Sequence, residues 1–536
     1  MGQDFMHPVI MATHRPSRPT HHPLTGPAWL FAGLTLACLA VLIIQSVLGN
    51  TSLNALSDPV DWLAGLDTAS ALDTLSSAAE VVAAVLAIAI TVVAIVVELA
   101  ATRYSHQITA LFLREPVNLA VLGVFVVTAV QCIWVAAVLD ESGPSAILPQ
   151  AGFAVTLVLV TLCLLLLIPY IYFVFAFLSP ISIIDRISRG AYRNALKARH
   201  SNAKRHQQRV EDAIDELQDV ARSAIQQSDR GIAIAAVNAM AGFLTDYVQI
   251  RDELPKSWFD MYQGITDDPD FVALEPEAIA EIEVQGIWLE RKVFRRYLSL
   301  LGQAAMRERD VANLIGINTQ RVATSLATDK PWLLNLCMYS FNSYLRATIN
   351  AGDLRTAYYL MNQYRVIGES LLDAENLQKA VEVADYLRDY GQVAHQMGAS
   401  FLLESAAYYV MRLVEKAIEI ESPAVDPLLA CLLNLDMEIK EESQEAEEAS
   451  LLGVRRAQMQ LATLFLMTGD ETRARLIAHD LRSERIERLE RLRQGMLVDD
   501  RPQFWELADF GVNFGYLAPE RHAYLTKLFE LLRESY

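Results

Sequence analysis

The stretch IAITVVAIVVELAATRYSHQ, Ile88 to Gln107, stays uncharged through Val97, then carries Glu98, with Arg103 and His106 behind it. Extended toward the N-terminus, the uncharged run reaches back to Val81. A helix of ~20 residues crosses the ~30 Å hydrocarbon core of a bilayer. The run therefore reads as a membrane span, and Glu98 as the place where the span meets the headgroups. A charge at that depth costs well below the ~2.5–3.5 kcal/mol it costs at a helix centre. A second reading stays open: Glu98 as a ring at the cytoplasmic mouth of an oligomeric pore.

Three more runs lack Lys, Arg, Asp and Glu altogether: Pro27–Gly49, Val117–Leu139 and Gly152–Leu178. With residues 78–101 they give four spans in the first third of a 536-residue chain. The loop Asn50–Ser76 has no basic residue but holds Asp58, Asp61, Asp67 and Asp73, and the loop Asp140–Ala151 also has none. Basic residues gather in the tail at Arg15 and Arg18, around Arg103 and Arg114, and after the fourth span. The excess of Lys and Arg on the cytoplasmic side of membrane proteins then places both termini in the cytoplasm of an inner-membrane protein. The expected organisation is a tail over residues 1–26, a membrane domain over 27–180, a basic juxtamembrane segment over 181–210 and a helical cytoplasmic domain over 211–536.

The juxtamembrane segment carries Arg186, Arg189, Arg193, Lys197 and Arg199. These fix topology and are also candidates for contact with anionic lipid headgroups. Within the third run, Thr128 and Gln131 lie near mid-depth. They are candidates either for interhelical hydrogen bonds, worth ~0.6–2 kcal/mol, or for the wall of a pore. The net charge of −19, from 45 Lys and Arg against 64 Asp and Glu, argues against a nucleic-acid partner.

Beyond Ser201 apolar residues recur at three- and four-residue spacing, which predicts helices throughout. Two turns match: AGDLRTAYYL from Ala351 and TGDETRARLI from Thr468. In each, Gly suits the left-handed position at a helix end and Asp suits the cap of the next helix. Such hairpins resemble tetratricopeptide units, and a generic helical bundle fits them equally. The fold class is all-α: a four-helix transmembrane bundle followed by an all-helical cytoplasmic domain.

The chain has no phosphate-binding glycine loop, no His-Glu-x-x-His, no Gly-x-Ser-x-Gly and no paired ligand spacing around Cys38, Cys132, Cys163, Cys337 and Cys431. No catalytic residue, metal ligand or cofactor is expected. The leading functional reading is a non-enzymatic membrane protein whose helical domain binds a protein partner or a second copy. A homo-oligomeric channel is the alternative, and a membrane enzyme acting on lipid comes third.

The block from Ile90 to Leu139 resembles an uncharacterised family of predicted bacterial membrane proteins, a domain of unknown function. The matching positions are Glu98-Leu99-Ala100-Ala101-Thr102, Tyr104-Ser105, Leu111, Phe112, Arg114 and Leu122-Gly123. Glu98 stands where that family usually has Gln, and His106 where it has Pro. A second block, Asp219–Met240, is similar to the family's Ala-rich helix and turn, so the resemblance covers residues 80–250. It implies a membrane location and no particular activity.

Overall fold

The computed structural model describes residues 68–103, 112, 115–141, 147–200, 202–327, 329–436, 451–499 and 513–533. Among them every regular element is a helix. The chain divides into two compact units, Met1–Arg186 and Ile187–Tyr536. The expected span Pro27–Gly49 lies outside the described residues, as does all but Phe112 of the stretch beyond Arg103 over which the sequence has the second helix continuing to Leu113.

The first unit contains α1 (Thr68–Arg103), α2 (Pro116–Glu141) and α3 (Ile147–Phe177). These three helices are long and apolar enough to cross a membrane. They alternate in direction. Ala71 and Leu75 at the start of α1 cluster with Val135 near the end of α2 and Phe153 near the start of α3. At the other end, the Tyr170 hydroxyl of α3 donates to Asn118 Oδ1 of α2 at 2.5 Å. The α1 helix starts ten residues earlier than the expected span at 78, because Ala71 and Leu75 find apolar partners on both neighbours. Thr91, Thr128, Thr156 and Thr161 each donate their hydroxyl to a carbonyl four residues back. That internal bond is what lets a hydroxyl sit in hydrocarbon without an unmet donor.

The helix α4 (Pro180–Lys197) follows α3 after two residues, with Pro180 at its first position, where a missing N–H costs nothing. In the second unit, α5 (Ala203–Gln226) and α6 (Arg230–Ile250) form a hairpin. Ser228 takes a left-handed conformation at the turn and the Asp229 carboxylate caps Ile232 N–H. The segment 230–253 is a fourth stretch long and apolar enough to span a bilayer, and half of its apolar window is buried. Its buried face, with Ala233, Val237, Met240 and Leu244, packs on helices of the second unit, and Val237 O accepts from the Tyr297 hydroxyl at 2.9 Å. These contacts are those of a helix in a protein core.

After a largely irregular segment, 251–275, come α7 (Pro276–Gln285), α8 (Trp288–Arg307) and α9 (Arg309–Ser325). Next are α10 (Pro331–Asn350), α11 (Leu354–Asp373), α12 (Leu377–Gln396) and α13 (Ser400–Glu419). These four are each 20 residues long and start every 23 residues. Gly352, Glu375, Gly398 and Glu421, the left-handed residues of the turns, keep the same step. So do the core positions. Cys337, Leu360, Val383 and Ala406 form one equivalent set, Phe341, Tyr364, Leu387 and Val410 another, and all eight are fully buried. Each helix packs on the next and on the next but one. The unit closes with α14 (Val425–Leu433), α15 (Leu452–Thr468), α16 (Glu471–Leu481), α17 (Ile486–Val498) and α18 (His522–Arg533).

Candidate functional site

Among the residues proposed from sequence, Thr128 is fully buried between α2 and α3. Its hydroxyl donates to Val124 O at 2.8 Å and accepts from the Cys163 thiol at 3.2 Å. Gln131 is half-buried and Glu98 is exposed, outside the buried stripe of Val93, Val97, Ala100 and Ala101 on α1. The structure does not bring Glu98 together with Thr128 or Gln131 into one site.

The basic residues divide into two groups. Arg186 lays its guanidinium over the Phe177 ring, 3.6 Å from the centroid, and Arg199 pairs with Glu253 at 2.8 Å. Arg189, Arg193 and Lys197 form an exposed row at four-residue steps along α4. The opposite face of α4, with Ile183, Ile184, Ile187, Ala191 and Ala195, is buried. The first turns of α5 add exposed Lys204, Arg205 and Arg209 to this surface. The Asn194 side chain joins the two helices: its Oδ1 lies 3.0 Å from His206 Nδ1 and accepts from Arg209 at 3.5 Å. Burial lowers the His206 pKa, and the nearby Arg209, Lys197 and Arg205 charges lower it further. The same ring is thus surrounded by positive charge from both helices.

A second cluster was not anticipated from sequence. Lys292 on α8 is fully buried, yet its ammonium lies 2.8 Å from Asp268, 3.0 Å from Asp215, 3.7 Å from Asp270 and 3.8 Å from Glu211. One helical turn on, Arg296 reaches Asp215 and Asp270, each at 2.9 Å. Tyr262 OH donates to Glu211 at 3.2 Å. Burial raises the Glu211 pKa to about 7 against the opposing pull of Lys292. Burial likewise raises Asp270 to about 6, while at Asp268 burial is outweighed by Lys292, the Asp270 N–H and Arg296 together, which hold that carboxyl below its ordinary range.

In effect the ammonium fills the centre at which the carboxylates converge. Among the described residues no His, Cys, Asp and Glu group has the arrangement of a metal site. Asp215 and Glu211 come from α5, Asp268 and Asp270 from the irregular segment, and the cations from α8. The cluster therefore clamps that segment between two helices. Gln207 reinforces it by donating to Trp258 O and Asp260 O at 2.8 and 2.9 Å. The one sequence signal was positional. Lys292 is four residues from the fully buried Trp288, on the inner stripe of α8.

A cavity of about 710 Å3 lies elsewhere in the second unit, with Tyr358, Phe401, Phe514, Leu492 and Met496 beside Arg456 and Arg491. Arg456 is held by Glu404 at 2.7 Å.

Residues 26–246 match the family of predicted membrane proteins DUF2254. The DUF2254 match agrees with the resemblance read from residues 80–250 and widens it toward the N-terminus, across the run Pro27–Gly49. It takes in α1 to α5 and ends inside α6, so the Lys292 side of the clamp and helices α7 to α18 fall beyond it. No curated protein and no solved structure matches the chain. The protein is accordingly a membrane protein, similar over residues 26–246 to that family, with helices able to span a membrane followed by further helices.

Proposed function

We propose that the chain is a membrane-anchored scaffold: spans in the inner membrane hold a cytoplasmic helical unit that binds a protein partner or a second copy of the chain. The observation that carries this reading is the regular step of α10 to α13. Helices that repeat at a fixed spacing, each touching only near neighbours, build an extended surface rather than a closed reaction centre. A two-helix hairpin here takes two steps of 23 residues, closer to the ~40–47 residues of HEAT and armadillo hairpins than to the ~34 of a tetratricopeptide. Tyr339, Val393 and Met397 remain exposed on that unit, so apolar area is available for a partner. Thr128, turned inward to Cys163, supports an interhelical role within the membrane unit.

The test is chemical crosslinking of the full chain in native membranes. The expected result is a discrete crosslinked species, heterologous or dimeric, that the Val393→Glu/Met397→Glu double variant loses while keeping its thermal unfolding midpoint. Absence of any specific species from the unsubstituted chain would overturn the scaffold reading.

A further inference from the structure

The Phe177–Arg186 contact carries information about the path of the chain at the membrane. Nine residues apart on one straight helix, these side chains would be ~13.5 Å apart along the axis and on opposite faces, at 100° per residue. Their 3.6 Å contact requires the chain to turn sharply at Leu178–Ser179. The first turns of α4 are therefore not collinear with α3. The α4 row of Arg189, Arg193 and Lys197 begins within a few turns of the last membrane-spanning residue, and Lys204, Arg205 and Arg209 continue it.

We propose that α4 and the first turns of α5 form a binding surface for anionic phospholipid headgroups. Three observations converge on this occupant. The surface carries six exposed basic side chains, and three of them, Arg209, Lys197 and Arg205, from both helices, converge on His206. The apolar face of α4 is already buried in protein, so what α4 offers outward is charge rather than an insertion wedge. The surface is continuous in sequence with a span, so it meets the headgroup layer at high local concentration. Arg186 and Arg199 are positioning residues: Arg186 holds the bend against Phe177, and Arg199 is engaged by Glu253. The proposal rests on the membrane-anchor part of the proposed function.

The experiment is hydrogen–deuterium exchange on the full chain in lipid nanodiscs of phosphatidylcholine, with or without phosphatidylglycerol. Peptides covering residues 186–209 should exchange several-fold more slowly when the anionic lipid is present. High salt should remove the difference, because the screening length then shrinks to ~3 Å at 1 M. The Arg189→Gln/Arg193→Gln/Lys197→Gln variant should lose it too, and so should Lys204→Gln/Arg205→Gln/Arg209→Gln, which tests the same surface from α5. Equal exchange in the two lipid compositions would overturn the proposal. So would equal protection by inorganic phosphate in phosphatidylcholine discs, which would identify an anion site rather than a lipid surface. Protection of α1, α2 and α3 by either bilayer reads the membrane anchor separately, so its failure and the failure of the lipid site are distinguishable.

Discussion

The two units solve opposite problems with the same secondary structure. In the first, large apolar side chains face outward: Ile88 is 64% exposed, Trp134 69% and Val158 67%. In the second, Trp258, Trp288, Phe341 and Tyr364 are all below 2%. The polar groups are inverted as well. The membrane unit keeps its threonine hydroxyls on its own helix carbonyls, whereas the second unit buries whole charges around Lys292. Lipid gives apolar surface no reason to withdraw, so the membrane helices are held by small local contacts. Water drives the second unit to bury area, and the charges buried with it must find partners or cost several kcal/mol each.

This contrast is broken most strongly at Lys292. Replacing it with Met leaves Glu211, Asp215, Asp268 and Asp270 with only the arginines nearby. Removing one member of a buried ion cluster costs about 3–5 kcal/mol. We expect Lys292→Met to lower the stability of the second unit by that amount in chemical denaturation of the full chain in detergent. A loss below about 1 kcal/mol would mean that water or rearrangement satisfies the carboxylates without Lys292.

A smaller effect is expected in the packing of α12 on α13. A Cβ placed at Gly391 would fall 2.7 Å from the Ala406 Cβ, and neither atom can rotate away. Gly391→Ala should therefore cost about 1–3 kcal/mol. Gly302→Ala meets no atom within 4 Å and is the control, expected to stabilise by about 0.5–1 kcal/mol. If both variants unfold at the same denaturant concentration, the close approach of α12 and α13 is wrong.

The clamp also sets a pH dependence. Within the clamp Glu211 rises to about 7 and Asp270 to about 6, and Glu216, outside it on α5, also rises to about 7, in each case chiefly by burial. Groups with raised folded pKa values bind protons more tightly in the folded state. The stability they contribute is complete below the unfolded carboxylate range and is lost as pH rises through about 6 to 7. His206 opposes this, since its lowered pKa favours the folded state as the ring loses its proton. Stability of the second unit should thus fall between about pH 5 and 7, by on the order of 1 kcal/mol per pH unit where one net proton is involved. Glu211→Gln should flatten the profile measured by thermal unfolding at each pH. An unchanged slope would remove Glu211 from the titrating set.

Sequence alone makes the membrane helices legible, because a charge-free run of that length rarely forms anything but a membrane span. It also exposes the Gly-Asp turns: Asp353 and Asp470 do cap Thr356 and Arg473, at 3.2 and 3.1 Å. The regular step is hidden for a local reason. Two of its four left-handed positions are Glu375 and Glu421 rather than Gly, so the turn signature fails in alternate turns. The clamp is hidden for a non-local one. Asp215 and Lys292 meet across 77 residues, and nothing in either neighbourhood announces the other. The basic surface falls between these cases. Its charge is plain in the sequence, but only the contact of Arg186 with Phe177 and the pair of Arg199 with Glu253 set these two apart from the exposed Arg189, Arg193 and Lys197.

The mildest prediction tests the other side of the contrast. Thr128→Val keeps the shape of a fully buried side chain between α2 and α3 but removes the acceptor of the Cys163 thiol. In water such a change in a core would strand a donor. In a bilayer the thiol is a weak donor with little to lose, and interhelical side-chain hydrogen bonds average only ~0.6 kcal/mol. The variant should therefore unfold within about 1 kcal/mol of the unsubstituted chain in detergent, while Asn118→Leu, which removes the 2.5 Å bond to Tyr170, costs more. A Thr128→Val loss comparable to that of Lys292→Met would show that polar contacts hold the membrane helices as firmly as the clamp holds the second unit, and the distinction between the two would fail.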